Sequence, residues 1–325
     1  MANVAQIAFC TLCLSSAAQA QDTAAYCAAA ESEPPLMWYA AQDPILVEAT
    51  LREFRETYPE IDAEFFRLAS GALAARYASE RDAGVVDADV VTLVDPIFVA
   101  AAREKGWIVS FDKSELSALA GLEDRYFQDG AALTAIIPYG FSYNTATVTD
   151  PLSDWKDLLR PEFKGQIALG DPRNVPGFLA VLRLLRIEYG DDFLRELAAQ
   201  ELVVVASVVP GTQQMAAGEF KIVFPNGKSS TEPVKAKGGP VEIVIPEVTT
   251  GAEYLTVISE GSDSPNAAKC LYDFLFTDKG QAAFTADVGI SPVFGTGDLP
   301  SGYQPLDVVA ADAMKGEIVE LLGLN

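Results

Sequence analysis

Residues 36–58 read LMWYAAQDPILVEATLREFRETY. Leu36 to Tyr39 is a short apolar run of the kind that forms a buried strand, and Gln42-Asp43 makes a turn. Pro44 then suits the first position of a helix, where its missing N–H costs nothing. Val47, Leu51, Phe54 and Tyr58 follow at i, i+4, i+7 and i+11, the spacing of one buried helix face. Strand, turn and amphipathic helix in that order form the building unit of an α/β architecture.

The unit recurs outward from this stretch. Ala63 to Phe66 reads as a second strand, Ser70-Gly71 opens a helix carrying Leu73 and Tyr77, and Asp89 to Leu93 is a third strand. Asp95-Pro96 starts the next helix, with Phe98 and Ala102 inward. Ala131 to Tyr143 is a long apolar segment able to cross from one lobe to another. Ile167 to Leu169, Val203 to Ala206 and Lys221 to Phe224 are further strands, and Phe178, Leu182, Leu185 and Tyr189 share one helix face. Val241 to Ile245 and Glu253 to Ile258 read as a return crossing before a helix from Asn266 to Phe276. The Gly-, Ser-, Lys- and Pro-rich stretch from Asn226 to Pro240 reads as a loop, either a surface hairpin or part of a binding edge. The expected class is α/β with largely parallel sheets.

The amino terminus predicts export. Ala2 to Ala17 is uncharged and mostly apolar, and Ala18-Gln19-Ala20 has the small-x-small form of a signal-peptidase site, so residues 1–20 are read as a signal peptide. Cys10 and Cys13 follow Phe9 and Leu12 rather than small residues, so no lipid anchor is expected. About 305 residues would remain of the 325, enough for two domains. Cys27 and Cys270 survive processing and read as a possible disulfide between the chain's beginning and a late helix, or as two separate buried thiols.

The formal charge of −23 sets 46 Asp and Glu against 23 Lys and Arg. Such a field repels nucleic acid and anionic lipid and requires a local cationic pocket for any anionic ligand. With no histidine in the chain, Ser-His and Cys-His nucleophilic arrangements are excluded. The sequence also lacks a Walker motif, a dinucleotide glycine fingerprint and clustered metal-ligand cysteines. No enzymatic activity and no cofactor are expected.

Several phrases in order resemble the bacterial extracellular solute-binding proteins of ABC importers, in particular the group that includes ferric-iron-binding proteins. They are Ser70-Gly71-Ala72-Leu73-Ala74-Ala75-Arg76, Asp87-Ala88-Asp89-Val90-Val91, Tyr143-Asn144-Thr145 and Trp155-Lys156-Asp157-Leu158-Leu159. Pro161-Glu162-Phe163-Lys164-Gly165, Asp171-Pro172, Gly218-Glu219, Ser264-Pro265-Asn266-Ala267-Ala268-Lys269, Asp273-Phe274-Leu275 and Gly280-Gln281 continue the series. The resemblance implies a type II periplasmic-binding fold, two α/β lobes joined by two crossing strands that close over a solute. It implies a first lobe of residues 21–135 plus 250–295, which would contain both Cys27 and Cys270, and a second of 136–249 plus 296–325. A periplasmic monomer that hands its solute to a permease of the inner membrane would follow, or a sensor subunit using the same fold.

Ligands of open parallel sheets bind beyond the carboxyl ends of strands. Ser70 and Gly71 at a helix start, and Arg173 and Asn174 in the Asp171–Gly177 loop, are candidate anion contacts, although Ser70, Asp171 and Asn174 would serve equally as ordinary caps. Ferric-binding members usually carry two adjacent tyrosines where this chain has Phe224-Pro225-Asn226-Gly227-Lys228, and a histidine where it has Gln42-Asp43. Lys228 in place of a phenol points to a phosphorylated, phosphonate or carboxylate solute, unless it simply faces solvent. Gln42, Asp95, Tyr139, Thr212, Gln213 and Asn226 complete the candidate set as polar contacts. Ferric iron, held by carboxylates and tyrosines such as Tyr39 or Tyr139, is the alternative cargo.

Overall fold

The computed structural model describes residues 23–286 and 288–324, so the signal-peptide reading falls outside the described residues. The strands are β1 (Leu36–Ala40), β2 (Ala63–Arg67), β3 (Val90–Leu93), β4 (Phe127–Gln128), β5 (Ala131–Pro138), β6 (Gly140–Asn144) and β7 (Ile167–Gly170). They continue with β8 (Val203–Val205), β9 (Ile222–Asn226), β10 (Val241–Val244), β11 (Val248–Thr249), β12 (Gly251–Ile258) and β13 (Gly302–Tyr303). The α-helices are α1 (Thr23–Ala30), α2 (Pro44–Thr57), α3 (Ser70–Asp82), α4 (Pro96–Glu104), α5 (Pro176–Tyr189) and α6 (Asp191–Ala198). After them come α7 (Val208–Ala216), α8 (Lys228–Ala236), α9 (Pro265–Leu275), α10 (Asp278–Thr285), α11 (Val308–Ala313) and α12 (Lys315–Leu321).

Two sheets carry the architecture. The first has the order β2-β1-β3-β12-β5-β4 and the second β10-β6-β9-β7-β8, while β11 and β13 form a small parallel pair. β1 lies parallel to β2 and β3, and β7 parallel to β8 and β9, as alternating strands and helices require. The expectation of largely parallel sheets needs one correction. β12 is antiparallel to β3 and β5, and β6 to β9 and β10, because the chain runs directly from one sheet into the other without a crossover helix.

The helix faces read from the sequence pack as the periodicity requires. Val47, Leu51 and Phe54 of α2 are fully buried, and so are Leu182 and Leu185 of α5. The stretch from Asn226 to Pro240, read as a loop, instead contains α8, which tolerates Pro233 in its interior. Cys27 and Cys270 are joined in a disulfide that ties α1 to α9, with their Cα atoms 5.2 Å apart. Glu33 strengthens the same contact by accepting hydrogen bonds from the Asn266 and Ala267 N–H groups at the start of α9.

The chain passes between the sheets at Tyr139 and again over residues 245–250. These crossings are hydrogen-bonded to one another: Tyr139 N donates to Thr250 O at 2.8 Å, and Thr249 Oγ1 to Tyr139 O at 2.6 Å. A Cβ on Gly140 would stand only 1.8 Å from Val244 O, so glycine permits this close approach. The last helices pack mainly on the second sheet's side, α11 against α5 and α4, and α12 against α5 and α6.

Candidate functional site

A cleft of about 100 Å³ lies where the carboxyl ends of strands from both sheets converge. From the first sheet's side come Ala41, Asp43, Arg67, Ala69, Ser70 and Val94; from the second, Val175, Ser207, Val208, Gly227, Ser229 and Ser230. Tyr139 and Tyr254 on the crossing strands form its floor with Phe178, whose ring meets that of Tyr139 edge to face at 5.6 Å between centroids.

Five helices begin at this cleft; α2 is capped there by Asp43, and the other four are not. α3 starts after Ala69, α5 after Val175, α7 after Ser207 and α8 after Gly227, and none of these four starts has a side-chain cap among the described residues. Elsewhere the starts vary: Asp95 accepts from Phe98 N in α4 and Thr277 from Gly280 N in α10, whereas α6 and α12 begin without a side-chain cap. The first N–H groups of a helix need partners and lie at the positive end of its dipole. Four uncapped starts around one cavity therefore form an anion-receptive surface. Ser70 Oγ accepts from Val94 N at 3.0 Å, which leaves its hydroxyl hydrogen as a further donor.

Two charged side chains stand in the cleft. Arg67 extends from the end of β2, half-buried, and its Nε donates to the main-chain oxygen of Gln42 at 3.3 Å. Asp43 is nine-tenths buried and caps α2 by accepting from Ile45 N at 3.0 Å through Oδ1. Burial holds its carboxyl above the ordinary range, against the hydrogen bond from Ile45 N and the attraction of Arg67. Arg67 forms no ion pair within 4 Å among the described residues.

A neutral network supports the second half of the site. Asn226 Nδ2 donates to Ser142 Oγ and to Thr212 Oγ1, each at 2.9 Å, while Ser142 Oγ and Thr231 Oγ1 share a hydrogen bond of 2.6 Å. Thr212 Oγ1 donates to Val208 O, Thr231 Oγ1 to Gly227 O, and Asn226 Oδ1 accepts from Gly227 N. All four side chains are buried, so their role is to fix the starts of α7 and α8 beside each other.

Of the residues singled out in the sequence, Ser70 and Tyr139 line the cleft and Gly71 adjoins it in the first turn of α3. The others are placed differently. Thr212 and Asn226 spend their polar atoms on the internal network, and Gln213 and Lys228 are exposed outside the cleft lining. Gln42 is buried, its amide donating to Phe284 O, and only its main-chain oxygen serves the site, through Arg67. Arg173 forms a two-pronged pair with Asp171 and donates to Leu324 O, while Asn174 Nδ2 also donates to Asp171. Asp95 and Arg173 face a separate groove with Asp312 and Lys315. Arg67 and Asp43 were missed. Their signal was position alone, at or just beyond the carboxyl ends of β2 and β1.

The tyrosines offer little to a metal ion. Burial pushes the Tyr139 and Tyr254 phenols far up, which keeps them protonated, and Tyr39 donates to Glu80 Oε1 away from the cleft lining. Among the described residues no group of three His, Cys, Asp or Glu is placed to hold a metal.

Two sheets joined by paired crossings, with a cleft between them, define a type II periplasmic binding fold. The chain belongs to the family of bacterial extracellular solute-binding proteins, whose profile it matches over residues 39–287. It is similar to an uncharacterized protein of Haemophilus influenzae, 26% identical over 268 residues, which covers 78% of this chain and 75% of that one. Its fold is similar to that of the substrate binding protein of the ABC transporter from Agrobacterium tumefaciens, with a TM-score of 0.77 and 19% identity over 90% of this chain and 95% of that one. The periplasmic binding protein AfuA from Actinobacillus pleuropneumoniae with exogenous fructose-6-phosphate bound gives 0.70 and 19%, over 90% and 99% of the two chains. Iron-bound HitA from Pseudomonas aeruginosa gives 0.66 and 15%, over 88% and 99%.

Proposed function

We propose that the protein captures a small anionic solute, a phosphate ester, phosphonate or carboxylate, in this cleft and delivers it to an ABC permease from the periplasm. The carrying observation is the convergence of four uncapped helix starts and Arg67 on one cavity. Backbone N–H groups, the Ser70 hydroxyl and Arg67 would bind the anion, with Tyr139 as floor. The moving bodies are the two sheets with their helices, and because β5 belongs to the first sheet as far as Pro138, the first body reaches residue 138 rather than 135. They bend at Tyr139 and over 245–250, and the protein acts as a monomer that does no chemistry on its cargo. Support for an anion comes also from one structural neighbour, AfuA, which has fructose-6-phosphate bound.

Thermal unfolding in the presence of inorganic phosphate, fructose 6-phosphate, small dicarboxylates and ferric ion tests this reading. An anion present at a hundred times its dissociation constant stabilises the folded state by about 2.7 kcal/mol, which raises the melting temperature by roughly 5 °C. Stabilisation by ferric ion without any anion would overturn the assignment.

A further inference from the structure

Asp43 is an anomaly in a site built for anions. Its Oδ1 is taken by Ile45 N, but Oδ2 has no protein donor among the described residues, and the side chain lines the cleft while nine-tenths buried. Arg67 is tethered to the adjoining residue, since its Nε donates to Gln42 O, yet the two opposite charges make no ion pair within 4 Å. A carboxylate oxygen and a guanidinium therefore line the same cleft without pairing with each other.

That arrangement discriminates among solutes. A purely anionic solute would meet repulsion from Asp43, and a purely cationic one would meet repulsion from Arg67 and from the positive ends of four helices. Only a solute with an anionic group and a hydrogen-bond donor close to it satisfies both. The small cavity keeps the two groups a few bonds apart, and the rings of Tyr139, Phe178 and Tyr254 cover whatever lies between them.

We infer that the solute carries a hydroxyl or ammonium donor beside its anionic group, with the donor on Asp43 Oδ2 and the anion on Arg67 and the helix starts. The inference rests on the anion reading above and narrows it to hydroxylated or zwitterionic anions. Asp43 is then a specificity-determining residue, accepting a hydrogen bond that a bare phosphate or a simple alkyl phosphate cannot offer.

Calorimetric titration of the mature protein with inorganic phosphate, propyl phosphate, glycerol 3-phosphate and phosphoethanolamine tests it. Glycerol 3-phosphate supplies a hydroxyl, phosphoethanolamine an ammonium group, and propyl phosphate a similar shape with neither. At least one of the two donor compounds should bind about 10- to 100-fold more tightly than propyl phosphate, the worth of a hydrogen bond to a charged group, and which one does so identifies the donor. Asp43→Asn keeps a good helix cap and turns a donor toward the solute. It should erase that preference and strengthen binding of inorganic phosphate, while unfolding measurements confirm that the variant is folded. Equal affinity of propyl phosphate and both donor compounds, or an unchanged ratio in Asp43→Asn, overturns the inference and leaves the anion site standing. Failure of all four phosphates to bind overturns the anion reading and the inference together.

Discussion

A Cβ placed on Gly71 would lie 2.8 Å from the main-chain oxygen of Asn174, so the first turn of α3 touches the loop after β7 across the cleft. That distance is below van der Waals contact, and the obstacle is backbone, which cannot swing aside. Gly71→Val should therefore prop the two halves apart. Apparent affinity falls tenfold for about every 1.4 kcal/mol by which closure is penalised. The expected result is a loss of at least tenfold in solute affinity with little change in the unfolding of the free protein. Unchanged affinity would mean that the contact is not part of closure.

Arg67 and Arg173 make opposite predictions. Arg67→Ala removes the cation that lines the cleft and should weaken anion binding about 10- to 100-fold. Arg173 is engaged by Asp171 and by Leu324 O at the surface, so Arg173→Ala should leave the unfolding midpoint nearly unchanged. Its effect on affinity should remain well below that of Arg67→Ala. Titration of both variants with one ligand decides between them, and a larger loss at Arg173 would restore it to the binding surface.

Replacing Cys27 and Cys270 together by alanine opens a link spanning 243 residues of chain. A loss of about 2–5 kcal/mol in unfolding free energy is expected, measured by urea titration. Solute affinity should stay unchanged, because the bridge joins α1 to α9 and neither helix lines the cleft. A fall in affinity at full folding would show that α9 communicates with the site.

Acidity should stabilise the free protein before it unfolds it. Burial raises the carboxyl pKa values of Asp43, Asp89, Asp95 and Glu253. The folded state then holds protons more tightly than the unfolded one, so their contribution is full below the ordinary carboxylate range and is lost as pH rises through the raised values. Asp171 and Asp191 run the other way. Hydrogen bonds from Arg173 and Arg186 lower their pKa values, and their stabilisation is lost only as pH falls below about 4. Relief of a charge of −23 acts in the same direction as the buried set. Calorimetry should show the melting temperature rising as pH is lowered from neutral toward the ordinary carboxylate range and falling below about pH 4. A melting temperature that declines steadily from pH 7 would contradict this balance.

The sequence disclosed the frame better than the site. Leu36 to Tyr39 and the Val47, Leu51, Phe54 face carried local periodicity that burial alone enforces, and both formed as read. α8 was hidden because Gly227, Ser229, Ser230 and Pro233 favour turns in isolation, while packing beside α7 and β10 makes the segment helical. Arg67 belongs to no motif, and only its place on the binding edge of a sheet distinguishes it from the other cations. Arg173 looked available for a ligand because sequence cannot show that Asp171, two residues earlier, already occupies it.

Asn226, Ser142, Thr212 and Thr231 brace two helix starts without a single ionisable group. The scaffold that presents the backbone donors is thus indifferent to acidity and to whatever charge the cargo brings, whereas Asp43 and Arg67 stand on the opposite half. Exchanging those two side chains alone offers a route by which the same scaffold acquires a new nutrient without first being rebuilt.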